Sequence, residues 1–272
     1  MNGFFDIFHY AFFNHALLGV AIISVAASVI GSYIVVRRLV AISGGITHAC
    51  FGGLGLGYFL GINPMLSAAV FAICSSAAVE WMASKCRIRE DSAIAVIWAL
   101  GMAIGILFVF LTPGYVPELN AFLFGNVLTI STADLWTFAI FTAALLLFMT
   151  LFYSRIVACA FDRDFARVMG LPVRFITYAM TAFVAVAIVL TIKLVGVMLL
   201  MSMFVLPQLV AEMFTHRFSS MMGLSVIISL VCSLGGLIIS AAIDVPASAL
   251  IVMIMVVVYV VARGIASATR AS

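Results

Sequence analysis

The chain has 272 residues, 66% of them hydrophobic and 8% charged, with a mean hydropathy of +1.34 and a formal net charge of +3. No single soluble core hides that much apolar surface, so the composition excludes an ordinary water-soluble domain and points to lipid. The few basic residues sit at the ends of apolar runs instead of along one face, which excludes a nucleic-acid surface.

Crossing the hydrocarbon slab takes about 20 helical residues. Residues 1–14 read as an interfacial segment, because Phe4, Phe8 and Phe12 recur every four positions while Asn2, Asp6 and His9 fall elsewhere. No Lys or Arg precedes Leu18, so the basic leader of a cleaved signal peptide is missing and the first helix reads as retained. Apolar windows then predict helices over 15–36, 44–61, 65–84, 92–111, 133–153, 175–192, 194–213, 219–240 and 246–264. Only Lys193 separates the sixth from the seventh. The expectation is an all-α, polytopic membrane protein of eight or nine transmembrane helices in a single domain, 1–272. The outer loop Thr112 to Thr132 opens with Pro113, Gly114 and Pro117, turns apolar again, is too short to span, and reads as a re-entrant or interfacial piece.

Nine helices satisfy the positive-inside rule. Arg37 and Arg38, then Lys85, Arg87 and Arg89, then Arg155, Arg163, Arg167 and Arg174, then Arg217, and finally Arg263 and Arg270 all fall on one side. Lys193 is the exception. That side is the cytoplasm, which puts the N-terminus outside and the C-terminus inside.

The second helix is unusual for its seven glycines at 44, 45, 52, 53, 55, 57 and 61. Each costs roughly 1 kcal/mol against alanine in a helix interior, so the pattern needs a packing reason. Gly44, Gly45, Gly52 and Gly55 share the face of His48, a smooth stripe that lets a helix come close or leaves room for an ion beside an imidazole. An ionisable group inside the membrane is a functional candidate by default. His48 either hydrogen-bonds a backbone carbonyl or serves as a metal ligand, in which case its partners come from other helices. Glu80 and Glu212 lie near the cytoplasmic ends of their helices and complete a candidate metal path with His48. The alternative is that both carboxylates reach the headgroups or pair with Lys85 and Arg217.

The loop after the fifth helix, 154–174, contains FDRDFARVMGLPVR. Asp162 caps a short amphipathic helix, Phe165, Val168 and Met169 share its apolar face, and Gly170 with Pro172 ends it. It is either a docking element or an interfacial helix resting on lipid. The fifteen methionines are spread through apolar helices and read as packing. The five cysteines (50, 74, 86, 159 and 232) show no paired spacing and read as free thiols. No HExxH, GxSxG or GxxxxGK[ST] is present, so an intramembrane enzyme is disfavoured and any ATP must be hydrolysed by another chain.

Several stretches together resemble the permeases of ATP-binding-cassette importers for zinc, manganese and iron(II), almost end to end. They are GSYIVVRRLVAISGGITHACFGGLGLGYFLGINP, EDSAIAVIWALGMAIGILF, NAFLFGNVLTIS, FDRDFARVMGLPVR, LVGVMLLMSMFVLPQLVA and IDVPASALIV. The resemblance implies the fold of the vitamin B12-type importer permeases and a homodimer in the bacterial inner membrane. It further implies two cytoplasmic ATPase subunits that carry the ATP, an extracytoplasmic metal-binding receptor, and a transported divalent metal ion as the cargo. His48 matches the family histidine of the translocation path, and Phe165, Ala166, Arg167, Met169 and Gly170 fall in the ATPase-coupling helix. Many relatives carry an aspartate four residues before that histidine, where this chain has Gly44. A permease for a metal chelate or cobalamin-type ligand, and a secondary ion transporter, are the alternative functions.

Overall fold

The computed structural model describes residues 10–86, 88–113, 125, 130–215 and 217–271, the last three by backbone alone. The interfacial reading of residues 1–9 and most of the re-entrant reading of 112–132 fall outside them. The described residues are all-α. In chain order the helices are α1 (Ala11–Val36), α2 (Val40–Leu60), α3 (Pro64–Lys85), α4 (Glu90–Leu111), α5 (Thr132–Phe161), α6 (Arg163–Val168), α7 (Val173–Phe214), α8 (Phe218–Ile243) and α9 (Ala247–Ala271). All but α6 are long and apolar enough to cross a membrane, giving eight such helices among the described residues of a multi-pass membrane protein.

Helix ends follow local chemistry. Asn63 caps α3, its side-chain oxygen accepting from the Met65 and Leu66 amides at 3.0 and 3.4 Å, and Pro64 takes the first helical position, where a missing N–H costs nothing. Ser131 and Asp134 cap α5 reciprocally: the Asp134 amide donates to the Ser131 hydroxyl at 3.2 Å, and the Ser131 amide donates to the Asp134 carboxylate at 3.2 Å. α1 begins at Ala11, so residues 11–14 of the expected interfacial segment are already in the first long helix. α5 continues to Phe161, eight residues past the predicted end, and absorbs the start of the 154–174 loop.

α7 resolves the ambiguity around Lys193. As one unbroken helix its 42 residues would rise about 63 Å, roughly twice the thickness of the hydrocarbon slab. The backbone leaves helical geometry at Gly196 (φ 78°, ψ 174°), three residues beyond Lys193, so the run is two helical segments joined at a glycine. Gly125, of the LFG stretch, sits with its own positive φ of 61° against the backbone of Val195 and Gly196, and no side chain fits between them.

Contacts group the chain into two compact units, one of Met1–Val35, Asn120–Phe148 and Leu194–Ser272, the other of Val36–Leu119 and Met149–Lys193. In the first, Ser24, Ser28 and Ser32 of α1 and Ser225, Ser229 and Ser233 of α8 are all buried at i, i+4 spacing. The Ser28 hydroxyl donates to the Ser225 carbonyl at 3.2 Å. Gln208, following Pro207 in α7, is wholly buried and donates to the Met203 and Ala27 carbonyls. Its amide and the Phe204 carbonyl press on Gly31, leaving no room for a β-carbon.

In the second unit α2 lies between α3 and α4, and glycines set both contacts. Facing α4, a β-carbon on Gly101 would stand 2.5 Å from the Ala49 Cα, and one on Gly55 would stand 2.5 Å from the Gly105 carbonyl. Facing α3, Gly53 meets Ala68 and Gly57 meets Pro64, with the same lack of space. The outward sides of α3 and α4 carry large apolar residues suited to lipid, such as Leu66, Val70, Leu107 and Phe110.

Backbone atoms cannot move aside as a side chain can. Gly101→Ala is therefore expected to destabilise by about 1–3 kcal/mol through overpacking. Gly223→Ala, on an exposed stretch of α8 with nothing within 4 Å, should be neutral or stabilising. Thermal unfolding of both purified variants checks the contrast.

Candidate functional site

Within the second unit, α2 carries His48 on the turn between Gly44 and Gly52, and the backbone approach at Ala49–Gly101 brings α4 alongside. That approach lays the His48 ring flat on Trp98, with centroids 4.6 Å apart and planes 2° from parallel. The ring also sits near Phe51, at 6.0 Å. Its Nδ1 is buried without a hydrogen-bond partner. Stacking fixes the plane of the imidazole, and an unpaired ring nitrogen in a low-dielectric setting is a ready lone-pair donor or proton donor.

Of the four glycines on this face, Gly45 packs on Ile94, Gly52 on Phe71 and the Gly101 carbonyl, and Gly55 on Gly105. These three are filled by neighbouring helices within the unit. Gly44 is buried. Among the described residues no group of three or more His, Cys, Asp and Glu is placed to hold a metal ion.

Glu80 belongs to the other end of this unit. Its carboxylate accepts from Arg163 Nη2 at 3.0 Å, so its partner is a residue 83 positions away and not Lys85. The same guanidinium reaches Glu90, Nη1 to Oε1 at 3.0 Å, and Glu90 Oε1 also takes Arg37 Nη2 at 3.0 Å. Arg163 thus ties the last turn but one of α3 and the first turn of α4 to the start of α6. Glu212 belongs to the first unit, exposed near the end of α7, and forms no ion pair with Arg217 among the described residues.

α6 is built as its residues dictate. Asp162 accepts from the Asp164 and Phe165 amides at 3.0 and 2.9 Å, and Asp164 pairs with Arg167 at 2.8 Å. Gly170 terminates it at φ 72°, and the Leu171 amide returns to the Ala166 carbonyl at 3.0 Å. Ala166 is fully buried on the inner side. Phe165, Val168 and Met169 are 58, 86 and 64% exposed. A clamped, capped helix that exposes an apolar face offers a surface to a partner or to lipid.

The model of the ABC 3 transport family matches residues 9–265. The chain belongs to the ABC 3 transport family. A probable metal transport system membrane protein of Chlamydia pneumoniae is 37% identical over 238 residues, covering 85% of this chain and 81% of that protein. The manganese transport system membrane protein MntC of Halalkalibacterium halodurans is 28% identical over 252 residues, 92% of this chain and 86% of that one. Among solved structures, PsaBC from Streptococcus pneumoniae in complex with Fab superposes with a TM-score of 0.83 at 25% identity, covering 96% of this chain and 94% of that one.

This ABC 3 family chain holds partners that its sequence reading passed over. Trp98 lies three residues before the Gly101-xxx-Gly105 pair, which is itself a close-packing signal. Arg37 and Arg163 stood only among the basic residues near helix ends, and Glu90 carried no signal of its own. Removing Arg163 strips Glu80, with only 9% of its side chain exposed, of its ion-pair partner, while Glu90 keeps Arg37. Arg163→Gln should cost about 1–3 kcal/mol, and adding Glu80→Gln should return part of that loss. A double-mutant cycle on unfolding free energies measures the coupling.

Proposed function

We propose that this chain is the membrane subunit of an ATP-driven importer that passes a divalent transition metal ion through the bacterial inner membrane to the cytoplasm. It works as a homodimer on two ATPase subunits and receives the ion from an extracytoplasmic binding protein. The observation that carries the reading is α6, which presents Phe165, Val168 and Met169 outward while Arg163 anchors it to α3 and α4. An ATPase seated on that face pulls directly on the helices that pack around His48. With α7 counted as two passages, the positive-inside rule supports α6 and most of the basic residues in the cytoplasm, the N-terminus outside and the C-terminus inside.

His48 and its twin in the second copy act as the polar step of the path. One stacked imidazole per chain gives weak, incomplete coordination, which suits an ion that must leave as readily as it arrives. Gly44, one turn before His48, puts no carboxylate beside it, so the path relies on imidazole nitrogen more than on oxygen. Glu80 is held by Arg163 and contributes to coupling in this reading, while Glu212 stays a candidate for the exit. The relative named for manganese transport makes manganese(II) the first ion to assay, with zinc(II) and iron(II) beside it.

Two variants test the two halves. Phe165→Glu with Met169→Glu should abolish association with the ATPase while the permease still folds in membranes, as read by pull-down and size exclusion. Undiminished pull-down contradicts the docking role. His48→Ala should lower metal uptake by at least about tenfold, one stabilising interaction of roughly 1.4 kcal/mol, with the ATPase still bound. Unchanged uptake in that variant removes His48 from the path.

A further inference from the structure

Beside α6, a cavity of about 390 Å³ opens within the second unit, lined among others by Glu80, Lys85, Arg163, Arg167, Arg174 and Thr177. Four cationic side chains face one carboxylate there. Glu80 and Glu90 occupy Arg163, and Asp164 occupies Arg167. Lys85 and Arg174 have no ion pair among the described residues, so the lining carries uncompensated positive charge. Thr177 is 2% exposed and its hydroxyl has no hydrogen-bond partner. A buried, unpartnered hydroxyl beside unpaired cations is a polar group waiting for an acceptor.

We propose that this cavity binds a phosphate-bearing anion, held by Lys85 and Arg174 with the Thr177 hydroxyl donating to it. The volume suits a small headgroup-sized ligand. Its position favours a lipid source: the lining residues close α3 and open α7, at the ends of membrane-crossing helices. Next to them in the chain, Trp81 and Phe175 are 54 and 57% exposed, as aromatic anchors at the headgroup level are. Basic pockets between helices on the cytoplasmic side take anionic phospholipid heads by the same chemistry. A soluble phosphate ester satisfies the same groups. Because the cavity adjoins α6 and includes Arg163, an occupant there strengthens the anchoring of the coupling helix. Occupancy depends on neither cargo nor ATP, so it stands or falls separately from the transport reading.

The test uses the full-length permease in phosphatidylcholine nanodiscs. One arm titrates phosphatidylglycerol and counts retained lipid by native mass spectrometry; the other titrates inorganic phosphate by calorimetry. Binding in the first arm that weakens about 30-fold in Lys85→Gln with Arg174→Gln, and persists in Lys85→Arg with Arg174→Lys and in Arg263→Gln, identifies a lipid site. The same pattern in the second arm identifies a soluble phosphate. Binding that ignores Lys85 and Arg174 in both arms overturns the site. If both arms are blank and the double Gln variant instead loses ATPase association, the cavity is a protein contact and the proposal fails as well. Thermal unfolding of each variant confirms that the exposed substitutions leave the fold intact.

Discussion

In lipid, helices gain nothing by burying apolar surface against one another, so they are held by close backbone approach and by the polar contacts that such approach permits. The α2–α4 contact is where this chain depends on that rule. Ala49 against Gly101 and Gly55 against Gly105 bring main chain to main chain, and a single added β-carbon on any of the three glycines has nowhere to go. Everything near the candidate path follows from it. With the two helices this close, Trp98 of α4 lies flat on His48 of α2, and the imidazole is held in one plane. A looser pair would leave the ring free to choose among rotamers.

Charge does at the end of the helices what glycine does in their middle. Arg163 holds Glu80 and Glu90, and Arg37 shares Glu90, so α3, α4, α6 and Arg37 meet in one cluster of ion pairs. Exposed single pairs contribute little, but a partly buried network with bidentate sharing resists the removal of any one member. Its consequence is mechanical. α6 is only six residues long and would be marginal alone; its Asp162 cap, the buried Ala166 and the Arg163 clamp make it a rigid handle.

Much of this fold was legible before the structure. The helix limits agree within a few residues for most spans, since long apolar runs bounded by charge leave little choice. Asp162 as a cap and Gly170 as a terminator were read from spacing alone, because both act within one turn of their own position. The break after Lys193 was also anticipated, although the residue that bends is Gly196, whose positive φ no other residue adopts as readily. What the sequence withheld is partnership. Its glycine stripe announced that something packs on α2 without saying that α4 does so, and Glu80 gave no hint of a partner 83 residues away. Periodicity reports the face a residue occupies. Only the tertiary fold names what lies opposite.

The central claim is that α6 is connected, through Arg163 and the glycine-packed helices, to the stacked His48–Trp98 pair. With Trp81 and Trp136 replaced by Phe, Trp98 is the sole tryptophan and its fluorescence reports on that pair. In the complex with the ATPase, adding ATP should change Trp98 emission, and Arg163→Gln should abolish the change while the ATPase stays bound. Emission that ignores ATP, or that responds equally without Arg163, would contradict the account.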